Sequence, residues 1–277
     1  KHCLYETLMY LQKIGPFSYN LKETFEWGNM MEIFYKLYIN NDIENAINYS
    51  FNFIGYIDNL NGLKQNIIAK HIGRATYAKK SLTIKDGYYA NHKNIDHINN
   101  TFTLKKNMII TGPNASGKTT ILKSTLLNVI FSQQFGYGFY KSANIPLYQS
   151  LSSYLNIPDT SNRDSLFQAE ARRCKDILAK FENKSGKHFC IFDELYSGTN
   201  PYEAIASAFA FINYLTKNIP NLDFMVTTHY IDLCEKLQTH NNKVCNMRMK
   251  TQENNDDSFN YLYELENGIS EIKGGII

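Results

Sequence analysis

The segment Gly112-Pro113-Asn114-Ala115-Ser116-Gly117-Lys118-Thr119 constrains this chain more than any other stretch of it. It matches G-x-x-x-x-G-K-[ST] and lies between an apolar run, Asn107 to Thr111, and a helix-forming stretch, Lys118 to Phe131. Strand, glycine-containing turn and helix in that order make a cradle for phosphate. The glycines let backbone N–H groups turn inward around an anion, and the helix adds the positive end of its dipole. Such a loop needs a buried strand behind it and a helix in front, which commits the chain to a layered α/β architecture.

From about residue 85 onward the pattern continues. His188 to Phe192 and Asp223 to Thr228 read as buried strands. Helices are predicted from about Pro201 to Leu215 and, after the strand ending at Thr228, through Leu237, while Val244 to Lys250 and Asn260 to Glu264 alternate like edge strands. The expected fold is an α/β P-loop NTPase, with a mostly parallel central sheet flanked by helices and a short all-α segment before it. In that segment Phe25, Met30, Ile33, Phe34, Leu37 and Tyr38 recur at three and four spacing. A second helix is predicted from Asp42 to Leu60, capped by Asn41 or Asp42. The expected division is residues 1–84 helical and 85–277 α/β. Residues 132–162, with Pro146, Pro158 and many Gly, Ser, Tyr and Asn, read as one long irregular stretch.

Composition narrows the class. Over 277 residues, 43% are apolar and 20% charged, as in globular proteins, which excludes a disordered chain, a collagen or a coiled-coil rod. No run of about 18 apolar residues occurs, so no membrane span is expected. A net charge of +3 is not the footprint of a chain that grips nucleic acid by charge alone. Cys3, Cys174, Cys190, Cys234 and Cys245 form no C-x-x-C pair and are odd in number. That argues against disulfides or a zinc site and for an intracellular, reducing compartment. A chain beginning at Lys1 is expected to be part of a longer protein.

Several residues carry candidate chemistry. Lys118 is expected to reach the β- and γ-phosphate oxygens of a nucleotide, and the Thr119 hydroxyl to hold Mg²⁺. Asp193 ends the apolar strand His188 to Phe192 and is placed to bind that metal directly or through water. Glu194, next to it, is placed to polarise an attacking water as general base. His229 follows the strand Phe224 to Thr228, where a histidine can sense the γ-phosphate. For the adenine, Tyr88, Tyr89 and His92 are candidates, a strand face or solvated turn being the alternative for each.

These segments resemble the ATPase domain of the MutS family of DNA mismatch-repair proteins, an ABC-type P-loop ATPase. The resemblance rests on Ile110-Thr111-Gly112-Pro113-Asn114 with Gly117-Lys118-Thr119-Thr120, on Asp193-Glu194 followed by Ser197-Gly198-Thr199, and on Thr227-Thr228-His229-Tyr230. It covers about residues 85–277, and the helical start looks like the end of the family's lever region. The resemblance implies Mg²⁺-dependent turnover of ATP to ADP in a head-to-tail dimer, homodimeric or heterodimeric. It further implies that Ser165, in Arg163 to Glu170, acts in trans on the partner's nucleotide, and that Ser197 to Asn200 faces the partner. DNA, mismatched or branched, would be gripped by segments outside this chain. The chain departs from the family in having Ala115-Ser116 where Met-Gly is usual. Its one Phe-x-Glu, Phe192-Asp193-Glu194, belongs to the nucleotide site, so no mismatch-reading wedge is expected here. Two alternatives remain at this point. One is another ABC-class motor, whose L-S-G-G-Q signature is absent. The other is a nucleotide-switched scaffold with little turnover, against which an intact Glu194 argues.

Overall fold

The structure, a computed structural model, describes residues 5, 8, 9, 11, 12, 27–78, 80–90, 97–155, 165–181, 185–253, 259–270 and 272. It divides into two compact units, Lys1–Ala69 and Lys70–Ile277. The first contains α1 (Trp27–Ile39) and α2 (Asn41–Ile68). Phe25, the first of the predicted periodic positions, lies outside the described residues. The cap of α2 falls one residue before the expected pair: Asn40 Oδ1 accepts a hydrogen bond from the Asp42 N–H at 3.0 Å. Asn41 and Asp42 are already helical, because the extended backbone of Asn40 turns its side chain onto the first free N–H groups. The helix then runs past the expected end at Leu60 to Ile68. Ile33 and Ile43 are its unit's buried apolar side chains among the described residues.

The second unit is built on a six-stranded sheet. Its strands are β4 (Asn107–Thr111), β7 (Tyr148–Tyr154), β8 (Lys187–Asp193), β9 (Leu222–Thr228), β10 (Val244–Glu253) and β11 (Phe259–Asn267), in the spatial order β11-β10-β4-β9-β8-β7. All neighbours are parallel except β10 and β11, which are antiparallel. Between the strands run α3 (Lys118–Phe135), α4 (Leu166–Phe181), α5 (Pro201–Asn218) and α6 (Ile231–His240). Strands buried on both faces read as continuous apolar runs, which is why β4, β8 and β9 were visible in the sequence. β10 is not an edge, as its alternation suggested: it pairs with β4 on one side and β11 on the other.

A second sheet, order β3-β2-β6-β1-β5, is formed by β1 (Gly73–Ala78), β2 (Leu82–Gly87), β3 (Asn100–Leu104), β5 (Tyr137–Gly138) and β6 (Ser142–Pro146). It brings two corrections. Residues 137–154 are not irregular but hold β5, β6 and β7. Their pattern was hidden because buried positions are filled by Ser152 and tyrosines rather than by a run of aliphatics. The first two strands, β1 and β2, lie in a stretch read as mostly helical, and they join the second unit, which therefore begins about fifteen residues before the expected boundary at 85.

Each face of the central sheet has its own core. On one, Ile109, Cys190, Phe192, Phe224 and Val226 pack with α4, α5 and α6. On the other, Met108, Ile110, Phe189, Ile191 and Met225 pack with α3 and the second sheet. Successive residues of one strand thus serve opposite cores. Burying each large apolar side chain this way contributes about 1.5–3 kcal/mol. The four described cysteines, Cys174, Cys190, Cys234 and Cys245, are free. Burial pushes the thiols of Cys174 and Cys234 up to about 12, so both behave as apolar filler. Among the described residues no helix is long and apolar enough to cross a membrane.

The register aligns the functional ends. Thr111 pairs with Thr228, and Thr227 with Asp193. The carboxyl ends of β4, β9 and β8 therefore finish level, and the loops leaving them converge.

Candidate nucleotide site

The loop from Gly112 to Gly117 wraps the end of β4 and delivers the chain into α3. Gly117 precedes the helix at φ 95, a left-handed conformation that suits glycine. No side chain caps α3, so its first N–H groups are left for an anion. Ser116 Oγ is buried without a hydrogen-bond partner, and Ala115 takes a left-handed φ of 60. Asn114 and Thr120 are exposed. The loop encloses one end of a cavity of about 530 Å³, whose lining includes Asn114, Ala115, Gly117, Lys118, Thr119 and Glu194.

Lys118 is buried, with Nζ donating to the carbonyl oxygens of Gly112 at 2.9 Å and Pro113 at 3.0 Å. An ammonium has three donors, so one remains. Burial pulls its pKa down from the ordinary lysine value, while Glu194 and Asp193 oppose that pull. A phosphate at the loop would supply the negative charge this desolvated ammonium lacks.

Thr119 Oγ1 stands 3.0 and 2.9 Å from the two carboxylate oxygens of Asp193. Thr227 Oγ1 donates to Asp193 Oδ1 at 2.6 Å and accepts from the Glu194 N–H at 3.2 Å. A hydroxyl and a carboxylate are hard oxygen donors that suit Mg²⁺, which binds through one or two carboxylates plus phosphate oxygens rather than an all-protein cage. Among the described residues no group of three or more His, Cys, Asp or Glu is placed to hold a metal ion.

Glu194 sits at φ 52, past the end of β8. His229, past the end of β9, approaches it with Nε2 2.5 Å from Glu194 Oε1. That hydrogen bond is the main reason the Glu194 carboxyl is held below the usual glutamate range; burial works against it, and the charges of His229 and Lys118 add to it. Five residues predicted from separate segments, Lys118, Thr119, Asp193, Glu194 and His229, are thus brought together by the level ends of three strands.

Ser165 lies at the start of α4 and is exposed. Its Oγ accepts from the Gln168 N–H at 3.3 Å, and Gln168 Oε1 accepts from the Ser165 N–H at 3.1 Å. This is a capping box. Arg163 and Asp164, before it, lie outside the described residues.

Aromatic side chains also line the cavity. Tyr88 and Tyr89 both line it. Tyr88 is already engaged, with its ring stacked on His97 at 3.9 Å and its hydroxyl donating to the His71 carbonyl at 2.5 Å. His92 lies outside the described residues. Tyr263, from β11, was not anticipated. It holds φ 56 and presses its ring toward Gly117, and the buried Asn100 side chain bonds the β11 backbone that follows, donating to Tyr263 O and accepting from Leu265 N. Ala115, Glu194 and Tyr263 all line the cavity with left-handed backbones. Strain of about 1–3 kcal/mol per residue collects at functional sites.

The family profile described as MutS domain V matches residues 108–277. The chain belongs to the MutS family. It is similar to the protein named DNA mismatch repair protein MutS in Bacteroides fragilis, 30% identical over 206 residues, covering 74% of this chain and 23% of that protein. The Fusobacterium nucleatum protein of the same name is 29% identical over 224 residues, 80% of this chain and 22% of that protein. The Orientia tsutsugamushi one is 30% identical over 209 residues, 74% and 22%. The chain therefore spans less than a quarter of the length of these curated relatives. The profile match opens inside β4, so β1, β2 and β3 of this MutS-family chain lie before it while folding with the matched residues. Sequence reasoning left three residues around the site without a role: Thr227, Tyr263 and the buried Glu170 of α4. Thr227 and Glu170 stood inside quoted motif segments; Tyr263 had no local signal.

Proposed function

We propose that this chain is the ATP-binding and ATP-hydrolysing part of a MutS-like DNA mismatch-repair protein, of the ABC-type P-loop class. The observation that carries the reading is the convergence of Lys118, Thr119, Asp193, Glu194 and His229 around one phosphate-sized loop. In this reading the backbone N–H groups at the start of α3 and the spare Lys118 donor bind the β- and γ-phosphates. Thr119 and Asp193 hold Mg²⁺, which when bound neutralises phosphate charge. Glu194 orients a water and takes its proton as the new oxygen–phosphorus bond forms and the bond to the β-phosphate oxygen breaks, with ADP as the leaving group. His229, bonded to Glu194, keeps that carboxylate ionised and aimed.

The resemblance to the family extends the proposal to a head-to-tail dimer, homodimeric or heterodimeric, in which Ser165 and the start of α4 complete the partner's site. The exposed Ser165 at a helix N-terminus supports that role, because its hydroxyl hydrogen is not used by the cap. Hydrolysis would then drive the opening and closing of DNA-gripping segments outside this chain. The deciding experiment is a turnover assay with ATP and Mg²⁺. Phosphate release that disappears in Glu194→Gln, with nucleotide binding retained, supports the enzyme. Release at the buffer rate, unchanged by Glu194→Gln, leaves the nucleotide-switched scaffold.

A further inference from the structure

Glu170 is a buried carboxylate that the proposed chemistry does not use: it is 2% exposed, in the second turn of α4. Oε1 accepts from the Ser197 N–H at 3.1 Å and from the Ser197 hydroxyl at 3.1 Å, and Oε2 accepts from the Gly198 N–H at 3.1 Å. All three donors are neutral. A carboxylate taken out of water persists only where such donors replace the lost hydration, so this geometry is held firmly or not at all. The segment it holds is the one that leaves Glu194. Between them, Leu195 is buried, and Tyr196, at φ 58, packs its ring against Phe167 of α4 with centroids 5.6 Å apart. Gly198 closes the contact. A Cβ there would lie 2.6 Å from Leu166 Cγ, so α4 meets this loop where there is no side chain.

Three contacts of different kinds therefore join residues 194–198 to the first turns of α4, the helix that Ser165 opens. We infer that Glu170 is a positioning residue for Glu194, making α4 and the loop 194–198 one rigid piece. A displacement of the Ser165 end, such as an anion or a second copy of the chain would impose, is then passed to Glu194 within the same chain. Glu170 does not line the cavity of the site. It acts through the Ser197–Gly198 backbone, and this role rests on the ATPase reading above.

The test compares Glu170→Gln and Gly198→Ala with the unaltered full chain and with Glu194→Gln, measuring kcat, KM for ATP, affinity for a fluorescent ATP analogue, and melting temperature. Glu170→Gln keeps the shape but turns an amide N–H₂ toward an N–H, breaking at least one of the three bonds. Gly198→Ala drives the same loop off Leu166 while leaving the carboxylate in place. Both should lower kcat by roughly 10- to 100-fold, the loss expected from small misplacements of a reacting group, with KM and analogue affinity within about twofold because the Lys118 loop is untouched. A purely structural role would instead lower melting temperature and affinity together. If the unaltered chain turns over, Glu194→Gln is inactive, and either folded variant keeps its kcat, the positioning role is overturned while the ATPase reading stands. If the unaltered chain itself does not turn over, the ATPase reading fails and takes this inference with it. Should Glu170→Gln not fold, Gly198→Ala alone decides.

Discussion

Lys118 and Glu194 face each other across the loop as a buried ammonium and a partly exposed carboxylate, and each makes a separate prediction. Replacing Lys118 by Ala removes a charge-assisted donor worth about 1.5–3 kcal/mol, so affinity for ATP should fall roughly 10- to 150-fold. Melting temperature should move little, because the change relieves a desolvated charge while leaving the Gly112 and Pro113 carbonyls without their donor. A nucleotide titration beside a thermal melt checks both. For Glu194 the sign follows from its lowered folded pKa. The stabilisation from its hydrogen bond with His229 is complete above the ordinary glutamate value and is lost as pH falls through the depressed one. Activity near pH 6 is therefore not limited by protonation of Glu194. His229→Ala removes the main cause of the depression, so the acid limb of the pH–rate profile should move upward in pH. An acid limb in the same place would mean that His229 does not set the charge of Glu194.

Elements meet at the site through two fitted backbone positions. Gly117 sits at φ 95, and a Cβ there would lie 3.1 Å from Tyr263 Cδ1. Gly117→Ala should therefore cost about 1–3 kcal/mol, a fall of roughly 2–12 °C in melting temperature, together with a loss of nucleotide affinity. The left-handed backbone at Tyr263 is braced by Asn100, which links β3 to β11 through two hydrogen bonds. Asn100→Ala removes the partner of two half-buried groups, the Tyr263 carbonyl and the Leu265 N–H, and should destabilise by about 1 kcal/mol. A melting temperature equal to that of the unaltered chain would show that water or a shift of β11 replaces both bonds. The strands with least local signal lie in this region. In β6 and β7, Pro146, Ser150 and Ser152 break any apolar run, and both strands are stabilised by partners far away in sequence, β1 and β8. β4, β8 and β9, enclosed on both faces, could be read from their residues alone.

The assembled molecule is where the dimer reading is tested. If hydrolysis opens a head-to-tail interface, Glu194→Gln with ATP and Mg²⁺ should accumulate a dimer on size exclusion, and ADP should return it to monomer. A monomer at high concentration under those conditions counts against two shared sites formed by this chain alone. Gly112, Lys118, Thr119, Asp193 and His229 were each legible because their chemistry depends on spacing within a few residues of a strand end. Their mutual distances were not, since Lys118 and Glu194 lie 76 positions apart and Glu194 and His229 35 apart. Those distances come from the register that sets Thr111 beside Thr228 and Thr227 beside Asp193.

Residue spacing alone specified a phosphate loop, the strand–helix order around it and the acidic pair that ends β8. Local backbone preference and apolar periodicity suffice for these, because each is settled within one strand–turn–helix. The second sheet, the left-handed Tyr263, the capping box at Ser165 and the buried clamp of Glu170 on Ser197 and Gly198 came from the folded chain. Apart from the cap, each joins residues distant in the sequence, and burial sets the strength of those bonds by removing water, a condition that exists only once the chain has closed on itself.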